Sequence, residues 1–441
     1  MKKFLTFVLA LSFLSVIGTA QENSTITLTV DEAVNYALQN SRQIQSALLD
    51  LDIQKRASDT AWNTLLPSVE LGASISRANE GMGAPGAADT ESGHWNMGGS
   101  ASISMNFNMA MIETIKAAQI DYEAGRITFT ETQKTLERDV QKLFYSLLLM
   151  QESIKISEEN LLAAQNRVTE AVQNYRTGRI SEIELLQTQV AAQNQTPEVL
   201  RAKQTLKQNL NTFALLLGMK AGTEIQLDGA VDRFGVMETI RQDAALQTAT
   251  PLNVTRTEQT LQKDIDVLVV NHRALNLQAF TPSVQVSFGV QPGASFTDLL
   301  NGTTEAWHDN GGFSIGISWN LTNLLPFSSN RQQAKDMEAA IAKLRIAQID
   351  AREQAINEMQ QLIDTLELSR EQISALEANI ALAARNYELT ETAYRNGRAD
   401  LLKLQDAELS LNQARQGLLA EQFNYISAFL DIEYLTGVQL R

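Results

Sequence analysis

The sequence contains no cysteine, which excludes disulfide bonds, thiol catalysis and cysteine-ligated zinc sites. Histidine is nearly as scarce: His94, His272 and His308 form no pattern that suggests a metal site. No glycine-rich phosphate loop, nucleophile elbow or pair of catalytic carboxylates is recognisable. We therefore expect a protein that is not an enzyme and that needs neither a metal nor a cofactor.

Long hydrophobic runs are also rare. The longest, residues 4–17, follows Lys2 and Lys3 and is too short to span a bilayer as a helix. Small residues at Gly18 and Ala20 come next, which predicts a signal peptide over residues 1–20. The formal net charge of −15 argues against nucleic acid or an anionic surface as a partner.

The chain is internally duplicated. Tyr175-Arg176-Thr177-Gly178-Arg179 matches Tyr394-Arg395-Asn396-Gly397-Arg398 at an offset of 219 residues (394 − 175). The same offset relates two series of mostly apolar residues with alternating spacings of four and three, which predicts long helices packed along their length. The first series runs from Leu136 to Tyr175 and the second from Ala355 to Tyr394.

Four segments alternate apolar and polar residues and are predicted to be β-strands with one apolar face and one polar face. They are Val69–Ser76, Ala101–Met109, Val284–Gln291 and Phe313–Thr322. Their lengths are close to the ~9–11 residues of a tilted membrane strand. Open strand edges cannot face lipid, because unpaired backbone groups are costly there. Four strands cannot close a barrel, so subunits must share one, and three chains would give twelve strands around a water-filled bore.

Two tryptophans, Trp95 and Trp307, precede matching Gly-Gly pairs and are candidate anchors at a membrane interface, with loop packing as the alternative. Trp62, near the end of a helix, is expected in the core. Both long helical segments lack proline and would exceed ~65 residues, or about 97 Å. Ser181-Glu182-Ile183-Glu184 and Asp400 are predicted helix starts after the two glycine turns.

The predicted organisation lists eight segments in order. They are a signal peptide (1–20), a helix (21–67), a first β-hairpin (68–110), a long helix with glycine turn and return helix (111–217), a linker (218–253), a helix (254–281), a second β-hairpin (282–326) and a second long helix with turn and return helix (327–441).

With these features in order, the sequence resembles the TolC-like outer-membrane factors (outer membrane efflux proteins) over nearly its whole length. The resemblance rests on Leu28–Val34, on Leu65-Leu66-Pro67-Ser68, on the two Tyr-x-x-Gly-Arg turns and on the helix ends at Gly218 and Gly437. It implies a mixed α and β membrane protein: a homotrimer with a 12-stranded β-barrel in the outer membrane, continued by an α-helical barrel through the periplasm.

The resemblance also implies a function. Such a protein is the exit duct of a tripartite efflux pump or a type I secretion system, and it works with a periplasmic adaptor and an inner-membrane transporter. The turn residues Tyr175, Gly178, Arg179 and Gly397 would be the tips that dock the adaptor. The alternative is a periplasmic adaptor or structural coiled-coil protein, which would explain the helices but not four amphipathic strands.

Carried over by position, the residues that close the periplasmic entrance in this family would be Glu184, Tyr394, Arg398 and Asp406. Arg398 stands one place before the family's arginine, where this chain has Ala399. Lys403 replaces one of two acidic positions, so the sequence departs from a doubly acidic constriction. Glu184 could instead serve only its helix cap, and Tyr394 could simply end the heptad series.

Overall fold

The structure is a computed structural model that describes residues 26–77, 95–229, 256–295 and 307–437. The predicted signal peptide and most of the predicted linker lie outside these residues. The first half contains β1 (Ile26–Leu28), α1 (Val30–Asn40), α2 (Arg42–Thr60), a 3₁₀ turn (Ala61–Leu65), β2 (Ser68–Arg77), β3 (Trp95–Phe107), α3 (Ala110–Arg176) and α4 (Glu182–Leu216).

The short strand β4 (Ile225–Leu227) lies between the halves, and the second half repeats the order of helix, hairpin, long helix and return helix. It contains α5 (Arg256–Phe280), β5 (Ser283–Val290), β6 (Pro292–Ser295), β7 (His308–Asp309), β8 (Gly312–Ser318), a 3₁₀ turn (Leu321–Leu324), α6 (Ser329–Arg395) and α7 (Leu401–Thr436). None of the described helices has an apolar stretch long enough to cross a membrane.

The segment predicted as one helix over 21–67 is divided. After the short strand β1, a helix break falls at Ser41, whose extended backbone ends α1 and whose hydroxyl accepts from the Gln43 N–H at 3.3 Å to begin α2. The prediction for Trp62 is wrong: its side chain is exposed within the chain. The reason is that α2 contributes only Ile44 to the core, near its start, and Trp62 lies far along the chain from that contact.

The two long helices, α3 and α6, have 67 residues each, or about 100 Å at 1.5 Å per residue. The α3 helix begins directly after its β-hairpin, α6 begins after a hairpin and a 3₁₀ turn, and both end at a glycine turn. Every residue of the two heptad series is buried or partly buried except Tyr175, so the predicted packing seam is confirmed. In the first half α3 packs on α4, in the second α6 packs on α7, and α3 also packs on α7 across the halves.

The four predicted strands form one antiparallel sheet in the order β2-β3-β5-β8, extended at one end by β6 and β7. The register places a row of four serines across all four strands: Ser68, Ser104, Ser287 and Ser314. The next residue on each strand gives an apolar row on the other face: Val69, Ile103, Phe288 and Phe313. The predicted two-faced strands are thus confirmed, and each face is continuous over the sheet. The prediction is wrong for the end of the fourth strand, which stops at Ser318 and not at Thr322, because the chain turns there into the 3₁₀ turn Leu321–Leu324.

Among the helices that the structure describes, none covers either face of this sheet. All residues of β2 and β8 are exposed, including Leu71, Ile315 and Ile317 on the apolar face. Among the described residues, β2 pairs only with β3 and β8 only with β5, so both outer strands have an open edge. An exposed apolar face with open edges is unstable in water and requires a partner or a membrane.

The main hydrophobic core lies partway along α3 rather than at the sheet. Phe144 contacts Phe213 of α4 at a ring-centroid distance of 6.2 Å, beside Leu136, Val140 and Leu217. The parallel pair of β1 and β4 closes this core, and it joins the described start of the chain to the segment between the two halves.

Candidate functional site at the two helix turns

The turns that end α3 and α6 have the same backbone structure. Gly178 and Gly397 have φ angles of +71° and +68°, a left-handed conformation that favours glycine. In the first turn the Arg179 N–H donates to the Asn174 carbonyl at 2.8 Å, and in the second the Arg398 N–H donates to the Ala393 carbonyl at 2.8 Å. This is the Schellman arrangement, which satisfies the last carbonyls of each helix.

A side-chain cap starts the return helix after each turn. The Ser181 hydroxyl accepts from the Glu184 N–H at 3.3 Å, and the Asp400 carboxylate accepts from the Lys403 N–H at 2.9 Å. Both predicted helix starts are therefore confirmed. Tyr175, Arg176 and Arg179 are exposed at the end of the molecule, together with Arg395 and Arg398 of the second turn.

Glu184 does not form a capping box with Ser181, in which its carboxylate would accept a hydrogen bond from the Ser181 N–H. At the start of α1, the Glu32 carboxylate accepts from the Thr29 N–H at 2.8 Å, and the box there is complete. The hydrogen bond from the Thr29 N–H is the main cause that lowers the pKa of Glu32, and a second hydrogen bond, from the Thr29 hydroxyl, lowers it further. Glu184 instead accepts a hydrogen bond from the Tyr394 hydroxyl at 3.4 Å. Its carboxylate is thus directed at the other half of the chain.

Tyr394 is suited to donate in this contact. Burial, and then the negative charge of Glu184, raise the pKa of its phenol, so the hydroxyl keeps its proton at neutral pH. The contact joins α4 of the first half to α6 of the second. It lies in a cleft of about 1140 Å³ between the two turns, which we call the turn cleft and which is also lined by Arg398, Lys403 and Arg167.

The remaining predicted entrance residues are placed differently. Arg398 lines the turn cleft and is exposed, but it has no ionic partner among the described residues. Asp406 is exposed on α7 and does not line the cleft. The structure therefore brings Glu184 and Tyr394 together, and within the described residues neither Arg398 nor Asp406 has a side-chain hydrogen bond or ion pair to either of them.

A buried cluster above the turns was not predicted from the sequence. Nη2 of Arg167 on α3 donates to both carboxylate oxygens of Glu408 on α7, at 2.9 and 2.7 Å. Nη1 of Arg167 donates to the Tyr387 hydroxyl on α6 at 3.2 Å. Only 12% of the Arg167 side chain and 10% of the Glu408 side chain are exposed. Burial is also the main cause that raises the pKa of Tyr387.

Among the described residues, this cluster is the side-chain contact between α3 and α7 that lies nearest the turns, and the contacts of Thr135 with Tyr434 and of Lys142 with Asp431 lie farthest from them. Ser153 donates to Gln416 at 2.8 Å, and Asn160 donates to Asn412 at 2.9 Å. On α3 these residues and Arg167 are seven apart, which places them on one side of the helix. That spacing of polar residues beside the apolar series is the signal that could have revealed the cluster.

The predicted interface residues Trp95 and Trp307 lie at the sheet, far along α3 and α6 from the turns. Trp95 begins β3, Trp307 immediately precedes β7, and both side chains are exposed. Their role at a membrane interface stays a prediction. Among residues 26–77, 95–229, 256–295 and 307–437, no group of acidic or histidine side chains could hold a metal ion.

Comparison with known proteins agrees with this architecture. Curated relatives include the cation efflux system protein CusC of Escherichia coli O6:H1, which is 22% identical over 345 residues, covering 75% of this chain and 70% of the relative. CusC of E. coli K12 is 21% identical over the same length and shares.

Several solved outer-membrane channels have the same fold. A CusC structure has a TM-score of 0.74 at 17% identity and covers 93% of this chain and 92% of its own. The Campylobacter jejuni channel CmeC has a TM-score of 0.74 at 14% identity, covering 94% and 86%. VceC of Vibrio cholerae has a TM-score of 0.71 at 15% identity, covering 93% and 97%.

The family model described as outer membrane efflux protein matches residues 33–219 and 273–438, one segment in each half of the duplication. The predicted resemblance is confirmed, and this chain belongs to the outer membrane efflux protein family.

Proposed function

We propose that this chain is the exit duct of a tripartite efflux pump or type I secretion system, located in the outer membrane and reaching far into the periplasm. The observation that carries the proposal is the four-stranded sheet with one exposed apolar face, one polar face and two open edges. Lipid accommodates the apolar face, and closure with other copies removes the edges. The two 67-residue helices then form the wall of the periplasmic tube.

The duplication supports a homotrimer. Within the chain, α3 of the first half packs on α7 of the second. At the offset of 219 residues, α6 corresponds to α3 and α4 corresponds to α7. Leu149 on α3 is 5% exposed, whereas its counterpart Leu368 on α6 is 55% exposed. On α4, Leu200 is 62% exposed, whereas its counterpart Leu419 on α7 is partly buried.

These exposed residues suggest how copies assemble. If α6 of one subunit packs on α4 of the next, as α3 packs on α7, each exposed face gains the partner that its counterpart already has. The same step brings the open edge of β8 next to β2 of the neighbour. Three copies would give a 12-stranded barrel and a closed ring of helices, whereas eight strands from two copies would leave no bore.

The end of the tube at the two turns is the proposed docking site for a periplasmic adaptor, and an inner-membrane transporter would deliver the cargo. Tyr175 and Arg179 of the first turn are exposed there, and the glycines Gly178 and Gly397 give both turns the same shape. Glu184 and Tyr394 would hold this end closed at rest. Arg398 and Asp406 would contribute through contacts with neighbouring subunits. We propose Trp95 and Trp307 as anchors at the membrane interface.

The test is assembly together with conductance. Protein extracted from membranes with detergent should have the mass of three chains, should change its gel migration on heating, and should form channels in planar lipid bilayers. A stable monomer that retains its strand signal and does not conduct would contradict the proposal and favour a periplasmic scaffold instead.

A further inference from the structure

The cluster of Arg167, Glu408 and Tyr387 joins three helices of the tube at one level. Arg167 on α3 binds α7 through two charge-assisted hydrogen bonds at 2.7 and 2.9 Å, and it binds α6 through Tyr387 at 3.2 Å. Hydrogen bonds of this type are shorter and stronger than neutral ones, and burial removes competing water. The cluster therefore connects the first half of the chain firmly to α6 and to α7 of the second half.

The neighbouring contact toward the turns is weaker. Tyr394 lies seven residues after Tyr387 on α6, or about 10.5 Å further along the helix. Its hydroxyl reaches Glu184 at 3.4 Å, and Glu184 is only partly buried. A firm contact and a long, partly hydrated contact thus follow each other within one heptad of the same helix.

The side-chain hydrogen bonds between α3 and α7 also become fewer toward the turns. Above it, α3 and α7 remain joined by Asn160 with Asn412 and by Ser153 with Gln416. Below it, the described residues of α3 and α7 share no side-chain hydrogen bond, although both helices continue for about two turns. The cluster therefore marks the boundary between a joined and an unjoined part of the same pair of helices.

The ion pair is not a repeated packing feature of the duplication. At the offset of 219 residues, Asn386 on α6 corresponds to Arg167, and Gln189 on α4 corresponds to Glu408. Neither position carries a charge. Because the two halves share their seam but not this pair, the pair belongs to the α3–α7 contact alone.

We propose that Arg167, held by Glu408 and Tyr387, is a positioning residue of the entrance and sets the level at which opening stops. The helix ends below the cluster separate when the contact between Glu184 and Tyr394 is lost, while the helices at and above it stay together. This inference rests on the proposed channel function.

The absence of cysteine in the chain allows a direct test. Cysteines replace Asn160 and Asn412, just above the cluster, in a channel opened by Glu184→Ala and Tyr394→Phe. A short, reducible bis-thiosulfonate reagent then bridges the two thiols. The bridged and the reduced channel should conduct equally in planar bilayers, because α3 and α7 do not part at this level.

Once both charges are removed, the conductance should depend on whether the two thiols are bridged. Arg167→Met with Glu408→Leu deletes the pair without leaving an uncompensated buried charge. The reduced channel should then conduct more than the bridged one, and bridging should restore the conductance of the parent. Arg167→Gln with Glu408→Gln is a second way to remove the charges, with polar side chains in their place, if the apolar variant does not assemble. The matched control is Asn386→Met with Gln189→Leu at the duplicated positions, which should leave the bridge without effect.

The outcomes separate the two proposals. If folded trimers of all variants fail to conduct, the proposed channel function is wrong. If they conduct but the bridge narrows the channel while Arg167 and Glu408 are intact, the helices part above the cluster and the positioning role is wrong. A bridge that stays without effect after both charges are removed would also contradict it.

Discussion

The Tyr394 hydroxyl donates to Glu184 across the two halves of the chain, from α6 to the first turn of α4. The contact is possible because the Glu184 carboxylate is not used in capping its own helix. The Ser181 hydroxyl accepts from the Glu184 N–H, while the Glu184 carboxylate turns toward the phenol. One residue thus begins a helix with its backbone and joins two helices with its side chain.

From this contact we predict the effect of opening the entrance. Glu184→Ala with Tyr394→Phe and Arg398→Ser should raise the resting conductance in planar bilayers. Partly exposed polar contacts contribute about 1 kcal/mol or less each, so a closed state held by three copies is shifted by losing them. The measurement is single-channel conductance of a variant shown to be a folded trimer.

The control changes an equal number of exposed residues in the middle of α3. Lys155, Glu159 and Asn166 are exposed there, and replacing all three by alanine should leave the conductance unchanged. Wild-type conductance from the entrance variant would remove Glu184, Tyr394 and Arg398 from the closing mechanism.

A second prediction concerns the two faces of β8. Ile315→Arg or Ile317→Arg places a charge on the apolar face and should cost about 2–4 kcal/mol near the bilayer midplane. Ser314→Arg or Ser318→Arg, on the polar face of the same strand, should cost far less and alter conductance instead. Urea unfolding of the refolded protein measures the first effect and bilayer recordings the second. Equal tolerance on both faces would mean that the assigned facing is wrong.

A third prediction separates backbone conformation from close packing at two glycines. Gly397 has a positive φ but nothing within 4 Å of an added Cβ, so Gly397→Ala should cost about 1–2 kcal/mol. Gly218 has a φ of +86°, and an added Cβ would lie 2.2 Å from the Asn40 carbonyl oxygen. Gly218→Ala should therefore cost about 2–5 kcal/mol, since a backbone clash is added to the strain.

Denaturant unfolding of the two variants, followed by the helix signal in circular dichroism, compares these costs. Equal losses would show that the approach of Gly218 to Asn40 relaxes freely and that only the φ angle matters.

A fourth prediction concerns the charge of the bore. Glu70 is the one ionisable residue on the polar face among the described residues of β2, β3, β5 and β8, and Ser102 on β3 is its cross-strand partner. Glu70→Gln, recorded in the variant with the opened entrance, should lower the ratio of potassium to chloride permeability by roughly twofold at low salt. Glu70→Gln together with Ser102→Glu moves the charge from β2 to the neighbouring strand β3 and should restore the permeability ratio. Reversal potentials in a potassium chloride gradient measure both, and an unchanged ratio in Glu70→Gln would contradict the prediction.

The features that follow from local rules could be predicted from the sequence. The helix lengths follow from the lack of proline between the hairpin and the glycine turn. The strand facing follows from a period of two, and the turns follow from Gly178 and Gly397. The heptad series also predicted which side of α3 and α6 is buried, because residues with this spacing lie along a single side of a helix.

Features that depend on distant parts of the chain could not be predicted. Arg167 and Glu408 are 241 residues apart, and each alone looks like a charged residue on a helix surface. The exposure of Trp62 depends on where the hydrophobic core ends along α2, and no local sequence pattern predicts that position. The pairing of β1 with β4 joins two strands of three residues each, too short for a recognisable period.

The equal lengths of α3 and α6 have a consequence for how the reach of the tube can change. The side-chain contacts between α3 and α7 hold the two halves at fixed levels, from Thr135 with Tyr434 down to Arg167 with Glu408. Seven residues inserted into α3 alone would move its turn by about 10.5 Å past the turn at Gly397 and break the end of the tube. A longer or shorter duct therefore requires matched insertions in α3, α4, α6 and α7. Its length can change only in whole heptads, and in four helices together.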